Sequence, residues 1–478
     1  MRRVYYNGKV VTLEGDDCTA FIVEDGQFAK VGNEELLVDI NYDEKIDLKG
    51  KTVLPAFFET HMHILSLGML LKDINHNDCD SIQNLIDMSR KYIEDNKVPA
   101  GKWVRGRGWN HDKFKDEPRL ITRYDLDKIT TEHPLCFVRT CGHVIVTNSK
   151  GLELIGMSES APEIEGGQID LDENGRPLGI FRERARACIL DAIPEKETEE
   201  IKDLILLAQE EALAHGIVEI HSDDFKDVPT NYQKVIQAYR ELIEEGKLKI
   251  RVYEQCNLPA VEKIRDFLDH GYHTGWNMGN GLFTLGPLKL LSDVALGART
   301  AYLNEPYSDA PNQRGILQFE TEDLKSMVKM CHEAGMQVAI HAIGDGAVDE
   351  VMNSIEEAKV NYPRLNERHG IIHCQVTTPE QLDRMKRLNL IAYIQPIFLN
   401  RHPSIIVRKI GTVAFRQKRR FSILIKPPFR SGKSSTMPGS LQHPLILPLQ
   451  TFHAVGSHKR LLPRIPRLSR DRPTIPHP

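Results

Sequence analysis

Residues 57–68 read FFETHMHILSLG. An apolar run ends, two histidines follow one residue apart, and a second apolar stretch begins at once. In a β-strand, residues i and i+2 point to the same face. His61 and His63 are therefore expected side by side at the end of a buried strand that includes Val53, Leu54, Phe57 and Phe58. Such a pair is either packed against backbone carbonyls or half of a metal site. Two residues alone do not separate these readings; the rest of the chain does.

Downstream, from about 200 to 396, helical and strand patterns alternate. IKDLILLAQEEALAHG (201–216) is an amphipathic helix stopped by Gly216, and IVEIHSDD (217–224) follows as a strand. The pattern recurs through KIRVYEQCN (249–257), LGPLKLLSDV (285–294), QVAIHAIGD (337–345), HGIIHCQ (369–375) and LIAYIQP (390–396). Near-continuous apolar strands separated by helices imply a parallel sheet covered by helices. With the strand before His61 there are seven, and eight would close a barrel. The expected fold class is α/β, a TIM (β/α)8-type barrel with its eighth strand missing or altered. Ahead of it, residues 1–52 carry two turn signals, Asn7-Gly8 and Asp25-Gly26, and read as a small β module. The barrel is assigned to 53–400. The stretch 64–200, rich in Gly, Trp, His and Asn, is read as a structured insertion over one end of it.

Composition bounds the rest. The first 400 residues carry 46 Lys and Arg against 66 Asp and Glu, a net of −20, which argues against nucleic acid as the partner of the body. Residues 401–478 reverse this, with 16 basic residues, one acid (Asp471) and 11 of the 26 prolines. No run of 18 or more apolar residues predicts a membrane span, and no apolar stretch follows the N-terminal arginines as in a signal peptide. Eight scattered cysteines without a CxxC pair suit reduced thiols and a cytoplasmic location.

Polar residues interrupt the apolar strands at consistent places. The histidine pair follows the first strand, Lys289 lies among Leu288, Leu290 and Leu291, His341 ends a strand, and His373 ends another. All lie toward C-terminal strand ends, where barrel enzymes build their sites. An unpaired buried ammonium is costly, so a lysine here is a poor packing choice. The ensemble favours metal ligation.

The segments VLPAFFETHMHILSLG, CGHVIVTNSKGLELIGM, GRPLGIFRERA, LGPLKLLSDVALGARTAYL, QVAIHAIGDGAVDEVM and IIHCQVTTPEQLDRMKRLNLIAYIQPIF resemble, in order, the amidohydrolase superfamily. The resemblance is to its YtcJ-like branch, which includes N-substituted formamide deformylase. It implies that His61 and His63 bind the more buried metal, that Lys289 is carboxylated and bridges, and that His341 and His373 hold a second ion. Zn(2+) or a similar divalent metal, one or two ions, suits such donors. A lysine in an apolar pocket has a depressed pKa, which favours reaction of its neutral amine with carbon dioxide. The resemblance also implies that His143, Asn148, Trp109 and Arg299 bind substrate, with Glu183 and Asp293 near them. Asp345 reads as a loop residue or helix N-cap, and His221 as structural.

After IQPIFLN the branch would continue to a Gly-Ser-Asp-x-Pro element whose aspartate is the general base. This sequence has none, so no general base is identified. The basic, Pro-rich tail 401–478 is read as out of frame or disordered, with a basic anchoring tail as the competing reading. The expected function is metal-dependent hydrolysis of carbon–nitrogen, non-peptide bonds in small amide or formamide-like substrates. The alternative is a catalytically impaired, regulatory protein, such as a regulator of exoenzyme production. The expected partner is a small molecule, without a membrane, and a homodimer stands as an open assembly.

Overall fold

A computed structural model describes residues 1–395, apart from positions 14 and 229. The expectations for the tail 401–478 and for an eighth strand fall outside the described residues. The chain divides into two compact units, one built from Met1–Met69 and from Lys196 onward, the other from Leu70–Glu195.

The first unit holds seven parallel strands: β1 (Phe57–Glu59), β2 (Ile217–Ser222), β3 (Arg251–Asn257), β4 (Phe283–Leu291), β5 (Val338–Ala342), β6 (Gly370–His373) and β7 (Ile391–Ile394). They are hydrogen-bonded in that order, each to the next, in a TIM-like α/β arrangement. The pairing is in chain order because each of β1 to β6 is followed by helix before the next strand, and parallel neighbours require such a crossover. Helices Thr198–Ala214, Tyr232–Glu244, Thr321–Glu333 and Asp345–Asn361 match the sequence periodicity. Helix Val261–Asp269, between β3 and β4, was not singled out by the sequence reading. Ile220, Val252, Leu288, Leu290, Ile340 and Ile371 join the helices in one buried cluster. Each such side chain contributes about 1.5–3 kcal/mol of transfer free energy.

The first strand departs from expectation. Thr52 and Val53 pair with Lys9 and Val10, while β1 begins only at Phe57. Pro55 lies between them; it has no amide proton for a ladder and divides the expected strand in two. Asn7-Gly8 is likewise not a hairpin. Arg2–Tyr6 pairs with Ala20–Glu24 and Glu44–Asp47 instead, so Asn7, at φ +56°, turns the chain from one sheet to another. Asp25-Gly26 does close a hairpin, with both residues at positive φ as a type I′ turn requires.

Helix Ile64–Lys72 packs on the barrel, so the separate unit begins at Leu70 rather than at 64. Gly68 permits this packing: a Cβ there would lie 2.2 Å from the Leu204 carbonyl oxygen. The second unit has its own sheet, Gly167–Leu171, Pro177–Glu183, Val144–Val146, Leu135–Arg139, Val104–Trp109 and Ile74–Asn75 in spatial order. It has its own core, which includes Trp109, Phe137 and Leu126.

At the N-terminal end of β6, two buried histidines form a closed relay. The Val338 N–H donates to His369 Nδ1 at 3.0 Å. His369 therefore carries its proton on Nε2, which donates to His332 Nδ1 at 2.8 Å, and His332 Nε2 donates to the Tyr362 carbonyl at 2.7 Å. Every ring nitrogen has one partner. Burial pushes His369 down to about 3, helped by the nearby His332, Lys359 and Arg364.

Among the described residues, no helix is long and apolar enough to cross a membrane.

Candidate metal centre

At the opposite end of the same strands, His61 and His63 lie in the turn between β1 and helix Ile64–Lys72, not within a strand. The turn is tied from both sides. Glu59 Oε1 accepts from the His61 N–H at 3.0 Å, and Ser222 Oγ, at the end of β2, accepts from the Ile64 N–H at 2.9 Å. The two rings meet edge to face at 5.4 Å between centres. The same arrangement brings His61 to His373 at 5.0 Å and His341 to His373 at 4.5 Å. Residues from three distant parts of the chain thus form one group of imidazoles.

The strand ends set the remaining positions. In β4, side chains alternate, so Lys289 faces away from Leu288 and Leu290. It is 2% exposed. Burial drives its amine down to about 8, and the carboxylate of Asp223 opposes that shift. His341, the last residue but one of β5, is in register with Leu291 of β4. Its Nε2 lies 3.1 Å from the Val294 carbonyl and 3.2 Å from Asp293 Oδ1. Nε2 therefore carries the proton, and Nδ1 carries the lone pair. His373 has the opposite assignment, because its Nδ1 is 2.5 Å from Gln395 Oε1. His61 is held well below the ordinary histidine range, first by burial, then by the neighbouring Lys289 and the other three imidazoles. It is neutral, as a metal ligand must be.

Three acids that sequence reading did not select surround this group. Asp223 follows β2, is 1% exposed, and has Oδ2 3.9 Å from His63 Nδ1. Its Oδ1 has no hydrogen-bond partner, and burial pushes the carboxyl up to about 6. Asp224 accepts from the Leu65 N–H, Ser222 Oγ and the Tyr239 hydroxyl. Glu254 on β3 accepts from the Asp224 and Phe225 N–H groups through Oε1, while Oε2 is buried without a partner. The visible signal was HSDD at 221–224, two acids placed at the same strand end as the histidines.

The donor set fits a divalent metal. It offers four imidazoles, a buried amine brought down to about 8, and a His61 Nδ1 that is buried and without a partner among the described residues. Among the described residues, no three His, Cys, Asp or Glu side chains already close on one point. What is built is the ligand field's periphery: the Val294 carbonyl fixes one nitrogen of the His341 ring and Gln395 fixes one nitrogen of the His373 ring.

The four residues expected to bind substrate divide. Trp109 and Asn148, expected to bind substrate, are fully buried in the second unit, and their polar atoms bond to the backbone. Trp109 Nε1 donates to the Phe137 carbonyl at 3.3 Å. Asn148 is the N-cap of helix Ser149–Leu154; its Oδ1 accepts from Gly151 and Leu135, and its Nδ2 donates to the Thr130 and His133 carbonyls. Neither has a group left for a ligand. His143 is exposed, with Nδ1 3.0 Å from Glu183 Oε2. Arg299 forms a two-pronged pair with Asp309 at 3.0 and 3.1 Å. Asp293 is fully buried and accepts from the Tyr302, Ile343 and Gly344 N–H groups, tying β5 to the loop that carries Arg299.

Comparison with known proteins adds the family. The profile of the amidohydrolase family matches residues 44–431. The chain is 29% identical to the putative amidohydrolase YtcJ of Bacillus subtilis over 86% of this chain and 76% of that protein. It is 24% identical to N-substituted formamide deformylase of Arthrobacter pascens, over 74% of this chain and 65% of the relative. An uncharacterized metal-dependent hydrolase from Pyrococcus horikoshii superposes with a TM-score of 0.72 at 30% identity, covering 89% of this chain and 81% of that one.

Proposed function

The chain belongs to the amidohydrolase family, and we propose that it hydrolyses carbon–nitrogen bonds of small, non-peptide amides or formamide-like molecules. The observation that carries this reading is the group of four imidazoles and a buried lysine assembled at one end of the parallel sheet. His61, His63, Lys289, His341 and His373 would hold one or two zinc or similar divalent ions. Such an ion supplies Lewis acidity toward water and the scissile carbonyl.

The chain's own groups prepare that site. Burial brings the Lys289 amine to about 8, so a useful fraction is neutral near pH 7. That neutral amine would add to carbon dioxide: an Nζ–C bond forms, one π bond of carbon dioxide opens onto oxygen, one proton leaves to solvent, and the neutral amine becomes an anion with two donor oxygens. The Val294 carbonyl and Gln395 Oε1 each hold one nitrogen, of the His341 ring and of the His373 ring. Arg299 is proposed to orient the substrate through its polar edge. The similarity to N-substituted formamide deformylase supports formamides as the first substrates to try.

The test combines metal analysis of the dialysed full-length protein with amine release from a panel of N-acyl and N-formyl compounds. Bound metal with turnover supports the proposal. Bound metal without turnover across the panel favours the regulatory alternative, and absence of both overturns the assignment of the centre.

A further inference from the structure

We propose that Gln395 is a positioning residue for His373, its amide oxygen holding the imidazole proton on Nδ1 so that Nε2 is presented to the metal. This rests on the reading of the centre given above.

Gln395 directly follows β7 and is 9% exposed. The parallel register sets Ile394 opposite His373, which brings the next side chain of β7 to the end of β6. Oε1 lies 2.5 Å from His373 Nδ1. The other end of the amide, Nε2, is buried with no partner among the described residues. A glutamine kept only for packing would satisfy both ends or give way to methionine. Here an unpaired buried donor, costing about 1–3 kcal/mol, is tolerated beside a single bond to one ring nitrogen. That bond is what the residue accomplishes.

The backbone serves the same ring. His373 and Cys374 lie at φ +70° and +45°, consecutive non-glycine residues in the left-handed region. Such strain concentrates where surrounding structure fixes a functional geometry. Turning the imidazole over would put Cδ2 where Nδ1 stands and Cε1 where Nε2 stands, and the bond from Nδ1 to Gln395 opposes that turn. Metal-ligating histidines generally give their second N–H to an oxygen, and removing that oxygen costs roughly 10–100-fold in metal affinity.

Gln395→Met keeps the length and removes the acceptor, whereas Gln395→Glu keeps an acceptor and removes the donor. Zinc affinity of the full chain by chelator competition, and the visible spectrum of its cobalt(II) form, are the readouts. We expect about 10–100-fold weaker zinc binding and an altered cobalt spectrum for Gln395→Met, with Gln395→Glu within a few-fold of wild type. Wild-type affinity and spectrum in Gln395→Met would overturn the proposal, as would Gln395→Glu failing equally. Wild-type protein that binds no metal would instead sink the centre itself. Should Gln395→Met not fold, the imidazole nitrogen-15 spectrum of metal-free wild type decides. A His373 proton on Nδ1 supports the proposal, and one on Nε2 ends it.

Discussion

Strand β6 has a histidine at each end, and the two could hardly be used more differently. His369, just before the strand, belongs to a relay in which each nitrogen of two rings has a partner. His373, its last residue, gives one nitrogen to Gln395 and stands edge to face with His61 and His341. His369 is buried and His373 half-buried, and both ends are built from the same residue type. What differs is the company each ring keeps: a backbone amide and a second histidine at one end, Gln395 and two further imidazoles at the other.

The sharpest way to break this comparison is at the open end. Replacing His61 and His63 by alanine should remove essentially all metal retained after dialysis, and full retention would refute the assignment. Lys289→Met should also lose metal while leaving unfolding unchanged or more resistant, since a buried amine becomes an apolar side chain of similar length. Partial return of metal with added formate or acetate would identify the lost group as a carboxylate bridge.

At the closed end the signs reverse. His369→Leu leaves the Val338 N–H and His332 Nδ1 unpaired and should cost about 2–4 kcal/mol, read as a lower urea midpoint, with metal content unchanged. The relay should also register in acid. His369 is at about 3 in the folded chain and near 6.5 when unfolded. The unfolded state thus binds the extra proton first. Stability is complete above about pH 6.5 and is lost as pH falls toward 3, by up to ~1.4 kcal/mol per pH unit. Urea titrations at pH 7, 6 and 5 should show His369→Leu with the shallower dependence, and equal slopes would contradict the relay. The smallest effect is expected from Trp109→Phe: about 1 kcal/mol from one hydrogen bond, with the KM of any substrate unmoved.

Where these residues lie was largely legible in the sequence, because parallel strands carry their polar groups toward one end. HMH, Lys289, His341 and His373 stand out where polar groups interrupt apolar strands. Periodicity likewise located all seven parallel strands. What failed was partnership. Nothing in the letters around Trp109 and Asn148 tells that their polar atoms bond to backbone carbonyls and amides 13 to 28 positions away. Asp223, Glu254 and Gln395 escaped for the converse reason. Their significance comes from register between strands, which one sequence does not print. The Asn7-Gly8 turn misled because the same local chemistry serves a hairpin and a corner between sheets, and only pairing distinguishes them.

The position of the inserted unit sets a timing problem for synthesis. Phe57 of β1 pairs with Ile217 of β2, 160 positions later. At roughly 5–20 residues per second on a ribosome, β1 waits about 8 to 30 s for its neighbour, with His61 and His63 already made. The intervening residues 70–195 form a sheet and core of their own and can fold within that interval. A nascent chain that condenses this unit early shortens the effective loop between β1 and β2 and lowers the entropy of closing it. Variants that unfold the Leu70–Glu195 unit should therefore slow barrel formation more than they weaken the finished barrel, an asymmetry that refolding and unfolding rates measured side by side would expose.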